Sequence, residues 1–361
     1  MFYINPNPKS NFIMNSLKLG LLSALTFSLL GNAQAQSSLR AGFVENADVF
    51  VYIDIAKMNT SPFSKAVEAQ QDPEAKALAD EKTAKFTAAT GLEQEDVLAM
   101  TFSMDIDNID FQKQDPAELE KAQAVVAIEF AKSITLEQAK AGLENMSDEE
   151  DFGASLVITE VDGLDVIKLE STEEGEGPDS AFGTLSPDGK TLLVAFNTLS
   201  LKDGLARLAA GKMSDPSDDM ATAIQTIGNR QVRMVLVLPQ VARQKIQEGV
   251  QQAAAQGGMG AMMAPFATAK SLLISADLDK DLNFYLSLDL DNPGNATQAA
   301  GMVQGMLPMM MMGLGPQAME LSQKIKIGSQ ESVVTVSVSM TPDDIKKMTD
   351  ASQNPAGMEM E

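Results

Sequence analysis

The chain contains no cysteine, no histidine and no tryptophan, and only three tyrosines. Without cysteine there is no disulfide framework, thiolate nucleophile, iron–sulfur cluster or cysteine zinc site. Without histidine there is no Ser-His-Asp triad, imidazole general base or imidazole haem ligand. Few rings remain on which a sugar would stack. Gly-x-Ser-x-Gly and Ser-x-x-Lys motifs are also missing. Gly257-Gly258-Met259-Gly260 lacks the Lys-Ser/Thr end of a phosphate loop. What survives for catalysis is a pair of carboxylates, as in a hydrolase. With 50 acidic residues in the chain, no pair stands out.

What is present first is a leader. Lys9 and Lys18 precede the apolar run LGLLSALTFSLL (19–30), and Ala33-Gln34-Ala35 follows as a small-x-small site. That order is a secretory signal peptide, 1–35, cleaved near Ala35. The true start is Met1 or Met14. The apolar run is shorter than the ~20 residues of a membrane span, so no transmembrane span is expected after its removal. Cleavage removes two lysines and no acid, leaving 25 basic against 50 acidic residues. Such a charge repels nucleic-acid phosphates and anionic membrane surfaces. The expected location is periplasmic or secreted.

The mature chain reads as α+β, in two related modules that each pack an antiparallel sheet against helices. The first spans 36–211, an acidic linker 212–220, the second 221–351, and a disordered tail 352–361. The central feature is the hairpin 271–291, where Leu272, Ile274, Ala276 and Leu278 alternate on one strand and Leu282, Phe284, Leu286, Leu288 and Leu290 on the other. Its twin begins at DVLAMTFSMDID (96–107), and Phe102–Asp107 aligns with Ile274–Asp279. Between the twin's strands, Asp115-Pro116-Ala117-Glu118 reads as a helical turn. Asp162-Gly163 and Pro187-Asp188-Gly189 are hairpin turns. Thr135 with Gln138, Ser200 with Asp203, Asn295 with Gln298 and Thr341 with Asp344 read as helix starts. Ser61-Pro62 and Asp72-Pro73 open two more.

The layout, with the mature part opening on Ala47-Asp48-Val49-Phe50-Val51, resembles exported bacterial proteins built from a duplicated α+β module. That resemblance implies the fold in two copies. It implies no activity, no cofactor and no catalytic residue.

Methionine is the outlier in what the chain does have, at 23 residues, ten of them between Met259 and Met319. Met302, Met306, Met309 and Met310 fall at i, i+4, i+7 and i+8. Thioethers at that spacing suit Cu(I), and the same spacing is the apolar stripe of a helix on a sheet. The matching stripe in the first module is Leu and Ala, which favours packing. Exposed, Met259, Met262, Met263, Met311 and Met312 with these would form an adaptable contact surface. Pro308 is expected to interrupt the helix.

Acidic turns are the other candidates: Asp105, Asp107 and Asp110 in the first module, Asp277, Asp279 and Asp281 in the second. Alternate carboxylates suit calcium. Counting from Asp277, the EF-hand glycine and glutamate positions hold Leu282 and Leu288, so that motif fails, and a charged turn that protects a sheet edge is the simpler reading. The expectation is an exported, soluble, non-enzymatic binding or scaffold protein of the cell envelope, facing an envelope protein or apolar ligand. The alternative is a metal binder, through Cu(I) on methionines or calcium on acidic turns.

Overall fold

A computed structural model describes residues 37–107, 109, 121–146, 154–171, 180–255, 263–312 and 320–353. The chain divides into two compact units, Met1–Thr60 with Asp72–Ser217, and Ser61–Gln71 with Asp218–Glu361. The fold is α+β, and the strand pairings within each unit are antiparallel.

In the first unit α1 (Ser37–Gly42) leads into β1 (Val49–Ile53) and α2 (Ile55–Thr60). The chain then gives α3 (Pro62–Ala69) to the second unit and returns with α4 (Pro73–Thr90). There follow β2 (Val97–Asp105), β3 (Gln123–Phe130), α5 (Leu136–Met146), β4 (Ala154–Val161), β5 (Leu164–Ser171), β6 (Ser180–Leu185), β7 (Thr191–Ala195) and α6 (Thr198–Ala210). The strands lie in the order β1-β2-β3-β7-β6-β5-β4. Phe43, Phe50, Leu92, Val125, Val166, Ile167, Leu193 and Leu201 are among the buried core residues.

Alternation in β2 implies one wet face, yet Ala99, Thr101 and Ser103 are fully buried. That face is small because α1 lies against β2 and β3. A Cβ on Gly42 would stand 2.9 Å from Thr101 Cβ and 3.1 Å from Ala127 Cβ. The Ser103 hydroxyl donates to the Gly42 carbonyl at 2.5 Å and accepts from the Val44 amide at 2.8 Å. The sequence carries no helix signal at 37–42. Six residues are too few to hold a helix alone, and tertiary groups hold this one at both ends. The buried Glu129 carboxylate accepts from the Ser37 and Ser38 amides at 2.9 and 3.0 Å. Arg207 donates to the Arg40 and Ala41 carbonyls at 3.2 and 2.7 Å. An anion at the helix start and a cation at its end match the helix dipole.

The second unit holds α3, α7 (Asp218–Ile227), β8 (Val232–Val237), α8 (Gln240–Ala255), a 3-10 turn Phe266–Thr268, β9 (Ser271–Leu278), β10 (Leu282–Asp289), α9 (Pro293–Met312), β11 (Lys326–Gln330), β12 (Val333–Met340) and α10 (Pro342–Gln353). Its strand order is β11-β12-β10-β9-β8. Leu290, Ala296, Ala299, Ala300 and Val334 form a buried cluster beneath α9. Helix α3 packs against α10 and β9. The Phe63 amide donates to the Asp279 carbonyl at 2.8 Å, and Gln70 Nε2 to Asp343 Oδ1 at 3.1 Å.

Several local expectations meet their geometry. Thr135 and Gln138 exchange side-chain-to-backbone bonds at 2.9 and 3.2 Å, and Thr341 with Asp344 does so at 2.7 and 3.2 Å. Asp162 and Gly163 both have positive φ, 54° and 79°, as a type I′ turn requires. Others are corrected. The cap of α6 is Asn197, whose Oδ1 accepts from Ser200 N at 2.8 Å. Asn292, not Asn295, caps α9, its Oδ1 accepting from Asn295 N at 2.9 Å. Pro308 stays inside α9, because it sits near the end, where one lost backbone bond leaves the packed first turns intact. Helix α7 starts at Asp218, inside the stretch read as linker. Residues 61–71, read as part of the first module, group with the second unit. The turn at 115–118 lies outside the described residues.

Candidate functional site

Strands β1 and β2 run antiparallel with Val49 opposite Met104. That register places Asp48 beside the end of β2. The Asp48 amide donates to the Met104 carbonyl at 2.9 Å, and its Oδ2 accepts from the Ile106 amide at 3.0 Å. Asp105 Oδ1 accepts from the Asp107 amide at 2.9 Å. Asp48, Asp105 and Asp107 thereby each bring a carboxylate oxygen within 4.8 Å of the others. Burial is the main cause that lifts the Asp48 carboxyl from its usual 3.8 to about 6, and the charges of Asp107 and Asp105 add to it. The bond from Ile106 opposes the rise. Asp105 and Asp107 are two of the acids expected at this turn, Asp48 joins them only in the fold, and Asp110 lies outside the described residues. The signal for Asp48 was its place just before the opening strand, beside the far end of its partner.

The second unit makes the same backbone capping bond without the charge. Where the first has Ala47-Asp48 before its opening strand, the second has Arg230-Gln231. Gln231 Oε1 accepts from Leu278 N at 2.6 Å, as Asp48 does from Ile106. Arg230 pairs with Asp277 at 3.0 Å and lies 3.8 Å over the Tyr285 ring. Gln231 N also donates to Asp277 at 3.2 Å. Asp277 is thus ion-paired, and Asp279 takes part in the turn through its amide to Asp281 O at 3.2 Å. Asp277, Asp279 and Asp281 form no three-carboxylate group, and among the described residues Asp48, Asp105 and Asp107 are the set that does.

The methionines fall on α9 and its surroundings. The first turns of α9 are anchored by Ala296, Ala299 and Ala300, so alanine does the packing that the stripe rule gave to methionine. Met306 is 39% exposed and Met309 68% exposed, while Met302 is half-buried. Met263, before the 3-10 turn, is 50% exposed. Met310, Met311 and Met312 continue the helix backbone. Met259 and Met262 lie outside the described residues. Helix α9 carries no charged side chain, and Gly301 and Gly305 open onto space. Its second half therefore exposes Met306 and Met309 on an uncharged helix. No helix among the described residues is long and apolar enough to cross a membrane. No family model, curated protein or solved structure matches the chain.

Proposed function

We propose that the chain is an exported, non-enzymatic binding protein of the cell envelope, and that the methionine-bearing half of α9 meets an apolar partner or ligand. The exposure of Met306 and Met309 on an uncharged helix carries the reading. Unbranched thioether side chains re-pack at little cost, which suits a contact face. Export rests on the leader at 1–35, and mass spectrometry of secreted protein should find Gln36 as the first residue. The contact is tested with a neutral apolar dye such as Nile red. Its fluorescence should rise on the parent protein and fall back in M306Q/M309Q. No rise with the parent overturns the reading.

A second reading, for a divalent cation such as calcium, has its own support. Asp48, Asp105 and Asp107 converge at the position where the other unit supplies Arg230 and Gln231. Oxygen-only ligands suit calcium. Millimolar calcium should raise the melting temperature at pH 7.5 and have little effect at pH 4.5, where protons compete. D48N should lose the shift. An unchanged melting temperature in the parent at pH 7.5 removes this reading. For Cu(I), Met306 and Met309 are the members of the methionine stripe exposed among the described side chains.

A further inference from the structure

A different site lies at the foot of α8. A cleft of about 230 Å³ is lined by Gln240, Arg243, Gln244, Gln247, Thr268 and Asp291. Among the described residues, no apolar side chain lines it. Its volume falls below the ~300 Å³ at which drug-sized pockets begin, so a fitting ligand is small and polar.

Two charged groups in this cleft have unused capacity. Arg243 Nε is buried and has no hydrogen-bond partner among the described residues. A buried donor left unpaired costs free energy, and native proteins rarely keep one without a use. Asp291 Oδ1 accepts from Asn292 and Asn295 at 2.7 and 2.8 Å. Its Oδ2 takes no hydrogen bond among the described residues. Thr268 is already fixed, donating to Pro265 O at 2.8 Å and accepting from Asn295 Nδ2 at 3.2 Å. Thr268 and Asp291 are therefore held in place, while the buried Nε of Arg243 and one carboxylate oxygen of Asp291 keep hydrogen-bonding capacity. Three glutamine amides supply both donors and acceptors beside them.

We infer that this cleft binds a small zwitterion of the free α-amino-acid class, its carboxylate on Arg243 and its ammonium on Asp291. The charge of the whole chain chooses among polar ligands. At a net charge of −23 the field of the protein opposes the approach of a plain anion. A zwitterion feels no net repulsion, and it satisfies both open groups at once. A guanidinium pairs with a carboxylate in two parallel bonds, which gives orientation as well as affinity. This inference does not rest on the methionine face, and failure of either leaves the other standing.

The test is calorimetry on the mature chain with the common L-amino acids, followed by the N-acetyl and carboxamide forms of any that bind. At least one amino acid should bind. Acetylation, amidation, R243Q and D291N should each weaken it at least about tenfold. The ligand-free protein supplies a second readout. Removing an unpaired buried donor should raise the melting temperature of R243M while abolishing binding. The inference is overturned if no amino acid binds at about 10 mM, if R243Q binds as the parent does, or if R243M melts lower, which makes the guanidinium a structural group.

Discussion

At the scale of single residues, the informative groups are those whose surroundings disagree with their chemistry. Asp48 holds its proton up to about pH 6, against a usual 3.8. In that window the folded chain binds more protons than the unfolded one, so stability falls as pH rises through it and levels off above. Glu129, raised by its burial against the pull of the Ser37 and Ser38 amides, adds a slope of the same sign. D48N keeps an acceptor for the Ile106 amide, as Gln231 does for Leu278. Melting curves between pH 4 and 7.5 should therefore show D48N above the parent at neutral pH and converging with it near pH 4. A D48N variant that melts lower at neutral pH would show the carboxylate to be needed for more than capping. Asp105 and Asp107 were visible in the sequence as alternating acids. Asp48 was not, because it joins them only through strand register, a contact over 50 residues of chain.

Among elements, α1 tests how tertiary bonds make a helix that local propensity does not. Replacing Arg207 by Met leaves the carbonyls of Arg40 and Ala41 without their partner. The expected loss is about 1–3 kcal/mol in urea unfolding, with amide exchange rising first in residues 37–42. G42A should cost a similar ~1–3 kcal/mol, since its Cβ would press on Thr101 and Ala127. The strands and most caps were legible because period-two alternation and cap side chains act within a few residues. Helix α1 was hidden because its cause lies on Glu129 and Arg207, far along the chain. The methionine stripe misled for a related reason. Periodicity marks which residues share a helix face, but the sheet took the Ala296–Ala299–Ala300 face, and the turns beyond it left Met306 and Met309 outside.

For the molecule as a whole, the sequence order and the compact units do not coincide. Residues 61–71 precede most of the first unit in sequence, yet they belong to the second. Phe63 is buried there, its amide tied to Asp279 O, and Gln70 bonds Asp343. A boundary drawn from the linker composition near 212–220 misses this, because composition reports exposure and not which strands a helix covers. The capping bonds of Asp48 and Gln231 are a local likeness between the two units, and the assignment of α3 to the second makes both units discontinuous in sequence. The consequence is measurable. A fragment 218–361 lacks α3 and bares the surface of β9 and α10 that it covers. Fusing 61–71 to that fragment should stabilise it by about 1.5–3 kcal/mol, the scale of burying one phenylalanine, read from the urea midpoint. F63A in the fused form should return it towards the bare fragment. Equal stability with and without 61–71 would mean that α3 contributes nothing to the unit it packs in.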